Sequence, residues 1–180
     1  MTNQANSNLL NMDEVIRDPT LSLFQKVLLA SDGTVTQLLE IYTSTTINVK
    51  KLAQQMVQQD QPKWLQPNTS SALLKRRILL CNDQHNLIHA ESYFVIDRLP
   101  PTMHQALLDS NQPIGMLWRA ERLETYREIV EFTRQPEPSL ARYFDVADDE
   151  QFLGRTYLIS HQQQALGLIT EKFPASHFRK

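Results

Sequence analysis

The stretch Leu73-Leu74-Lys75-Arg76-Arg77-Ile78-Leu79-Leu80, the turn cluster Asn82-Asp83-Gln84-His85-Asn86 and the run Leu87-Ile88-His89-Ala90-Glu91-Ser92-Tyr93-Phe94-Val95-Ile96 decide the fold. Two apolar runs of strand length separated by turn residues predict a β-hairpin. Side chains alternate across a strand, so Leu74, Arg76, Ile78 and Leu80 share one face. Arg76 is therefore a charge in an apolar row. The C-terminal part repeats the pattern. Leu153–Ser160 and Ala165–Phe173 predict a closing hairpin around His161-Gln162-Gln163-Gln164. Arg155 shares a face with Leu153, Tyr157 and Ile159, and Glu171 shares one with Ala165, Gly167, Ile169 and Phe173. Unpaired, such buried charges would cost several kcal/mol, on the order of 3–5 each, so each must meet a partner. Two readings stay open. Arg76 or Arg155 pairs with Glu171 as a structural bridge, or these residues line an internal pocket for a small anion. A guanidinium offers a carboxylate two parallel donors, and a carboxyl in an apolar pocket can shuttle protons near neutral pH.

Working outward, residues 1–18 are rich in Asn, Gln, Ser and Asp and read as a flexible arm, with residues 19–180 as one domain. Asp18-Pro19-Thr20 predicts a helix start, with Leu21, Phe24, Val27 and Leu28 on one face. Ser31-Asp32-Gly33-Thr34 breaks that helix, and Thr34 or Asp32 caps a second one carrying Val35, Leu38, Leu39 and Tyr42. The pair invites a helix-turn-helix reading, but TVTQLLEIYTS has no basic residue for phosphate. A strand is expected within Ser44–Val57 and a loop over Gln58–Ser71. Pro100-Pro101 starts a helix, and Pro113-Ile114-Gly115 opens another, with backbone N–H groups suited to a carboxylate. Glu121–Thr133 fits helix or strand, and Gln135–Pro138 reads as a loop. Hairpins in the middle and at the end, with helices between, give an α+β fold with an antiparallel sheet.

Composition narrows the function. The 180 residues carry 18 basic and 20 acidic side chains, a net charge of −2, which excludes a chain devoted to coating nucleic acid. One cysteine, Cys81, rules out an intrachain disulfide and a cysteine zinc cage, and fits a cytoplasmic setting. The polar N-terminus reads as neither a signal nor a transit peptide, and no apolar run approaches the ~20 residues of a membrane span. Four glycines leave no glycine-rich phosphate loop. Cys81, His85 and His89 cross a turn rather than share a helix face, so they read as surface and turn residues.

Four motifs then carry a resemblance: Leu74-Lys75-Arg76-Arg77-Ile78-Leu79-Leu80-Cys81, Gln112-Pro113-Ile114-Gly115, Leu153-Gly154-Arg155, and Ile169-Thr170-Glu171-Lys172-Phe173-Pro174-Ala175-Ser176. In order and spacing, from about Leu21 to Phe178, they resemble the chorismate lyase (chorismate–pyruvate lyase) family, and within it a diverged branch with cyanobacterial members. The resemblance implies an antiparallel sheet of about six strands, with helices and flaps covering an internal pocket. It implies cofactor-free conversion of chorismate to 4-hydroxybenzoate and pyruvate, feeding prenylquinone synthesis (ubiquinone or plastoquinone), in a monomer or homodimer. Arg76 matches the family's strand arginine, expected to take a carboxylate and the charge developing on departing pyruvate. Glu171 matches the last-strand glutamate, expected to handle a proton or orient a hydroxyl. Ile114, with Gly115 beside it, and Val35 match backbone contacts to substrate, the last across a gap in the local match. Arg155 is a further candidate for substrate binding. One departure stands out. Where the family carries a second arginine after a small residue, this chain has Ala90-Glu91, and Arg155 or Arg127 is the candidate replacement. The fold also resembles the effector-binding domains of bacterial transcription regulators. A non-catalytic binder of aromatic carboxylates is therefore the alternative, although too few residues precede the first family-like helix for a winged helix. A lyase making another hydroxybenzoate is the third reading.

Overall fold

The computed structural model describes residues 9–32, 34–58, 62–65, 71–109 and 123–179. The central hairpin forms as the alternation predicts, from β3 (Leu73–Cys81) and β4 (Asn86–Val95). The closing hairpin forms from β6 (Gln151–His161) and β7 (Gln164–Pro174), turning at Gln162 and Gln163 with φ of 48° and 64°. β2 (Asn48–Val57) pairs with β3, with a bulge between Lys51 and Ala53. The ambiguous stretch before Thr133 is strand β5 (Tyr126–Pro136), which pairs with β6 along its length. Its alternation outweighs the helical spacing because an antiparallel partner is in register. Among the described residues the sheet is wholly antiparallel, in the order β1-β5-β6-β7-β4-β3-β2, where β1 is the dipeptide Leu9–Leu10. The expected α+β architecture stands, with β1 added as a seventh, minimal strand.

Three sequence expectations need correction. The N-terminal arm is built from residue 9 onward. β1 adds to the β5 edge, and helix α1 (Met12–Arg17) begins with a capping box in which Asn11 and Glu14 satisfy each other's backbone N–H groups at 2.9 and 2.7 Å. Val15 of α1 is fully buried, which anchors the segment. The next helix does not start at Asp18. Asp18 accepts from the Thr20 N–H at 2.7 Å and from its hydroxyl at 2.6 Å, closing a tight turn, and it pairs with Arg134 at 3.1 Å. Helix α2 (Leu23–Ala30) starts instead from a second box, Ser22 with Gln25. Finally, the loop read over Gln135–Pro138 is the end of β5, and Pro138 opens helix α5 (Pro138–Phe144), unforeseen although proline at a first helical position is a known signal.

Helices cover one face of the sheet in two groups. Val15 of α1, Leu28 and Leu29 of α2, and Val35 and Leu39 of α3 (Val35–Thr43) pack with Leu80, Leu153 and Phe173. Met103 and Leu107 of α4 (Pro101–Asp109) pack with Leu74, Phe94 and Ile159. α5 covers the opposite face through Phe144, against Leu79 and Phe152. Among the described residues these two groups form separate clusters, and Arg76 and Glu171 lie on the same sheet face, in a pocket bordered by the start of α3. Gly167 permits the close layering there: a Cβ at that position would press into the Phe94 ring and stand 2.9 Å from the Tyr93 carbonyl.

On the opposite face His89 is buried, facing Lys172 across β7. Burial, then the charges of Lys172 and Arg77, hold its imidazole down at about 4, with Glu137 pulling the other way. The unfolded chain takes up this proton near pH 6.5, so the stability held above pH 6.5 is lost as pH falls toward 4. The loss is at most about 3 kcal/mol. Denaturant melts between pH 7 and 4 should show the wild type losing stability more steeply than His89→Gln. Parallel slopes would exclude His89 as the source.

Candidate active site

The floor of that pocket is built by register. One row across the sheet reads Gln54, Arg76, Ser92, Ile169 and Tyr157, and the neighbouring row reads Ile78, Ala90, Glu171 and Arg155. Period-2 alternation on five strands points all of these to the same side. The pocket above them is also lined by Val35, Thr34 and Thr36 from the start of α3, by Ile159, and by Arg127 of β5. Its interior space is about 60 Å³, within a cleft of about 620 Å³ that includes open solvent.

Of the two arginines it is Arg155, not Arg76, that pairs with Glu171. Arg155 is the structural one. Its Nε donates to Glu171 Oε2 at 2.9 Å, and its Nη1 donates to the carbonyls of Leu29, at 3.4 Å, and Ser31. It is 3% exposed and is not among the residues that line this pocket, and its bonds make it a brace that ties Glu171 to the end of α2. Those carbonyls close the C-terminal end of α2, where the helix dipole favours a cation. Arg76 is the other kind. It is 2% exposed, and its Nε and Nη2 have no hydrogen-bond partner among the described residues. Burial alone lowers its pKa from the usual guanidinium range, yet it stays charged at neutral pH.

Glu171 is 7% exposed. Its second oxygen, Oε1, accepts from the Tyr157 hydroxyl at 3.2 Å. Burial, then the Glu171 charge, push the Tyr157 phenol well above its ordinary range, so it remains a donor. The Tyr157 ring carries the guanidinium carbons of Arg155 and Arg127 at 5.2 and 6.0 Å. Val35 lines the pocket with Thr34 and Thr36, and Thr34 occupies the cap position of α3 without a side-chain cap bond. Ile114 and Gly115 lie outside the described residues. The Glu91 departure falls outside the pocket: Glu91 points to the opposite face, 3.5 Å from the Lys75 ammonium, and accepts from the Tyr93 hydroxyl at 3.2 Å. Ala90 fills the pocket position beside it. Ser92 and Tyr157 were not singled out from sequence. Their signal was register, since Ser92 stands directly opposite Arg76. Among the described residues no group of three or more His, Cys, Asp or Glu side chains could hold a metal ion, and no helix is long and apolar enough to cross a membrane.

The chain is thus an α+β protein whose antiparallel sheet carries, on its helix-covered face, a pocket lined by Arg76 and Glu171. Comparison with known proteins makes this specific. The model of the family described as chorismate pyruvate-lyase Rv2949c-like matches residues 29–179, and the chain belongs to that family. The chorismate pyruvate-lyase of Mycobacterium leprae is 31% identical over 159 residues, covering 86% of this chain and 75% of that protein. The enzyme of the same name from Mycobacterium tuberculosis is 28% identical over 162 residues, covering 86% and 81%. Among solved structures, the effector domain of PhnF from Mycobacterium smegmatis aligns with a TM-score of 0.65 at 11% identity, over 83% of this chain and 93% of that one. The C-terminal domain of the histidine utilization repressor from Pseudomonas syringae gives 0.58 at 9% identity, over 74% and 95%. These two share the fold.

The brace can be tested by unfolding. Arg155→Met leaves Glu171 as a buried charge without its cation and should cost roughly 3–5 kcal/mol in urea melts. Adding Glu171→Leu should restore most of that loss. A single variant as stable as the wild type would show that the pair does not hold this region together.

Proposed function

We propose that the chain cleaves chorismate to 4-hydroxybenzoate and pyruvate without a cofactor. The observation that carries this reading is Arg76, a buried guanidinium with two unpartnered donor positions, facing an apolar pocket together with the open start of α3. A carboxylate of chorismate satisfies both. In a net-acidic protein this is also how a dianion is drawn in, by positive potential focused in a low-dielectric cleft.

The reaction asks little of the protein beyond alignment. The bond between the ring carbon and the ether oxygen breaks, and its electron pair leaves with enolpyruvate. The neighbouring ring carbon, which bears the hydroxyl, loses its hydrogen as a proton, and that C–H pair completes the aromatic system. Enolpyruvate takes up a proton at its methylene carbon to become pyruvate. Aromatisation drives the step, so holding the ring with the two breaking bonds aligned supplies much of the rate. Glu171, oriented by Arg155 and Tyr157, is the acceptor on the pocket floor for the ring hydroxyl or the departing proton. Enclosure under helices makes release of the aromatic product a slow step. The reading places the chain in the cytoplasm, supplying a hydroxybenzoate precursor for quinones.

A second reading, a binding domain without turnover, draws on the likeness in fold to effector domains. One experiment separates the two. Purified protein is given chorismate, pyruvate is followed through lactate dehydrogenase, and the aromatic product is identified by chromatography. Equimolar pyruvate and 4-hydroxybenzoate above the spontaneous rate are expected. A folded sample without turnover would leave the binding reading.

Arg76→Met and Glu171→Gln should each lower kcat/KM by roughly 100-fold or more. Arg76→Met should do so without lowering Tm, because it replaces an uncompensated buried charge by an apolar side chain of similar length. Full turnover in both variants would remove these residues from the chemistry.

A further inference from the structure

The chemistry described above leaves one polar side chain of the pocket floor without a task. Ser92 stands directly opposite Arg76 on β4, which sets their Cβ atoms roughly 5 Å apart. The next residue of β4 on this face, Ala90, stands directly opposite Glu171. Ser92 thus lies on the strand that separates Arg76 from the strand of Glu171. It is 7% exposed and lines the pocket. Its hydroxyl makes no hydrogen bond among the described residues. The other floor residues around Arg76, namely Ile78, Leu80, Ala90 and Ile169, have no polar side-chain atom, and the Tyr157 hydroxyl is given to Glu171. A buried hydroxyl in such surroundings is kept at a cost unless something meets it.

We propose that Ser92 donates a hydrogen bond to the ring carboxylate of the substrate while Arg76 holds that same carboxylate, and so selects a planar acid at this end of the pocket. This rests on the lyase reading and deepens it. The unpartnered Nε and Nη2 lie on one edge of the Arg76 guanidinium, and their parallel donors meet the two oxygens of one carboxylate. Each oxygen keeps a further lone-pair direction, and a hydroxyl on the facing strand fills one of them. The ring end of the substrate is assigned by its own geometry. The ring hydroxyl and the ring carboxylate sit at opposite ends of the six-membered ring. With Glu171 receiving at the hydroxyl end, the carboxylate falls toward Arg76, two strands away on β3. The enolpyruvyl ether is carried next to the hydroxyl-bearing carbon, away from Ser92. The ring carboxylate is unchanged in substrate, transition state and product. A donor to it therefore strengthens binding of all three alike and leaves the chemical step as it was.

The test uses the full chain, with 4-hydroxybenzoate as the calorimetric probe and chorismate as the substrate. Ser92→Ala should weaken 4-hydroxybenzoate roughly 10-fold, the loss of one hydrogen bond to a charged group. KM for chorismate should rise by a similar factor while kcat does not fall. The ligand-free Tm should stay within about 2 °C of the wild type, because no protein group loses a partner, and the rise in Tm on adding 4-hydroxybenzoate should shrink. Ser92→Thr keeps the hydroxyl, suits a strand and serves if the alanine variant is unstable; it should retain most of the affinity. The same pair of proteins in an Arg76→Met background supplies the control. Two groups on one carboxylate do not act independently, so Ser92→Ala should cost less than about threefold there. An unchanged Kd in Ser92→Ala, a fall in kcat at constant KM, or losses that multiply in full in the Arg76→Met background would each overturn the proposal. Failure of the lyase reading looks different: the wild type would bind 4-hydroxybenzoate without forming pyruvate from chorismate, and the calorimetric comparison would still decide the role of Ser92.

Discussion

The contact between Arg155 and Glu171 organises everything around the pocket. It joins β6 to β7 across the sheet floor, and through the Leu29 and Ser31 carbonyls it fastens the end of α2 to that floor. The end of α2 sets where α3 begins, and the start of α3 forms one wall of the pocket. Gln25 secures the other end of α2 by donating to the carbonyls of Ala175 and His177 at 2.9 and 2.6 Å. A buried ion pair is a weak source of net stability, because desolvation offsets most of its attraction. Its value here is geometric. It fixes one oxygen of Glu171, Tyr157 fixes the other, and the carboxylate presents a defined orientation to the pocket.

Arg76 is the opposite case, a buried charge whose Nε and Nη2 meet no partner among the described residues. Hydrophobic neighbours such as Ile78 and Leu80 hold it out of water, and its cross-strand partners Gln54 and Ser92 are uncharged. That arrangement costs stability in the absence of an anion and returns it when one binds. Proteins keep such costs where function needs them. One arginine paired with a carboxylate and one without a partner at Nε and Nη2 among the described residues lie on the same sheet face, and that contrast is what supports the proposal that the face is a site.

Much of this was legible in the sequence, and the reason is periodicity. Arg76, Arg155 and Glu171 stand out because a strand's alternation makes a charge in an apolar row conspicuous, and the two hairpins were strong enough to set that alternation. What alternation cannot give is pairing. Nothing in the chain says that Arg155 rather than Arg76 takes Glu171; that depends on β6 lying next to β7 while β4 separates β7 from β3. The same gap explains Glu91. In the aligned sequence it looked like a lost pocket cation, yet register turns it outward to Lys75. Asp18-Pro19-Thr20 misled for a local reason: an aspartate that closes its own turn through Thr20 carries the same residue type as a helix cap, and the Ser22–Gln25 box four residues on competes for the start. β5 was ambiguous because Leu123, Tyr126 and Val130 satisfy helical spacing, and only its partner strand decides. Arg127, which becomes prominent in the folded chain, sits inside that ambiguous segment.

The likeness in fold to effector domains poses the question of what separates binding from chemistry on one scaffold. Both tasks need a covered sheet face and an anion anchor. Catalysis needs in addition an acceptor placed where bonds change, held so that it does not collapse onto the nearest cation. In the lyase reading Glu171 meets that condition on the middle strand of the sheet, because its own cation stands beside it on β6 and the Tyr157 hydroxyl holds its second oxygen. The carboxylate is thereby kept from turning toward Arg76, which stands two strands away on β3.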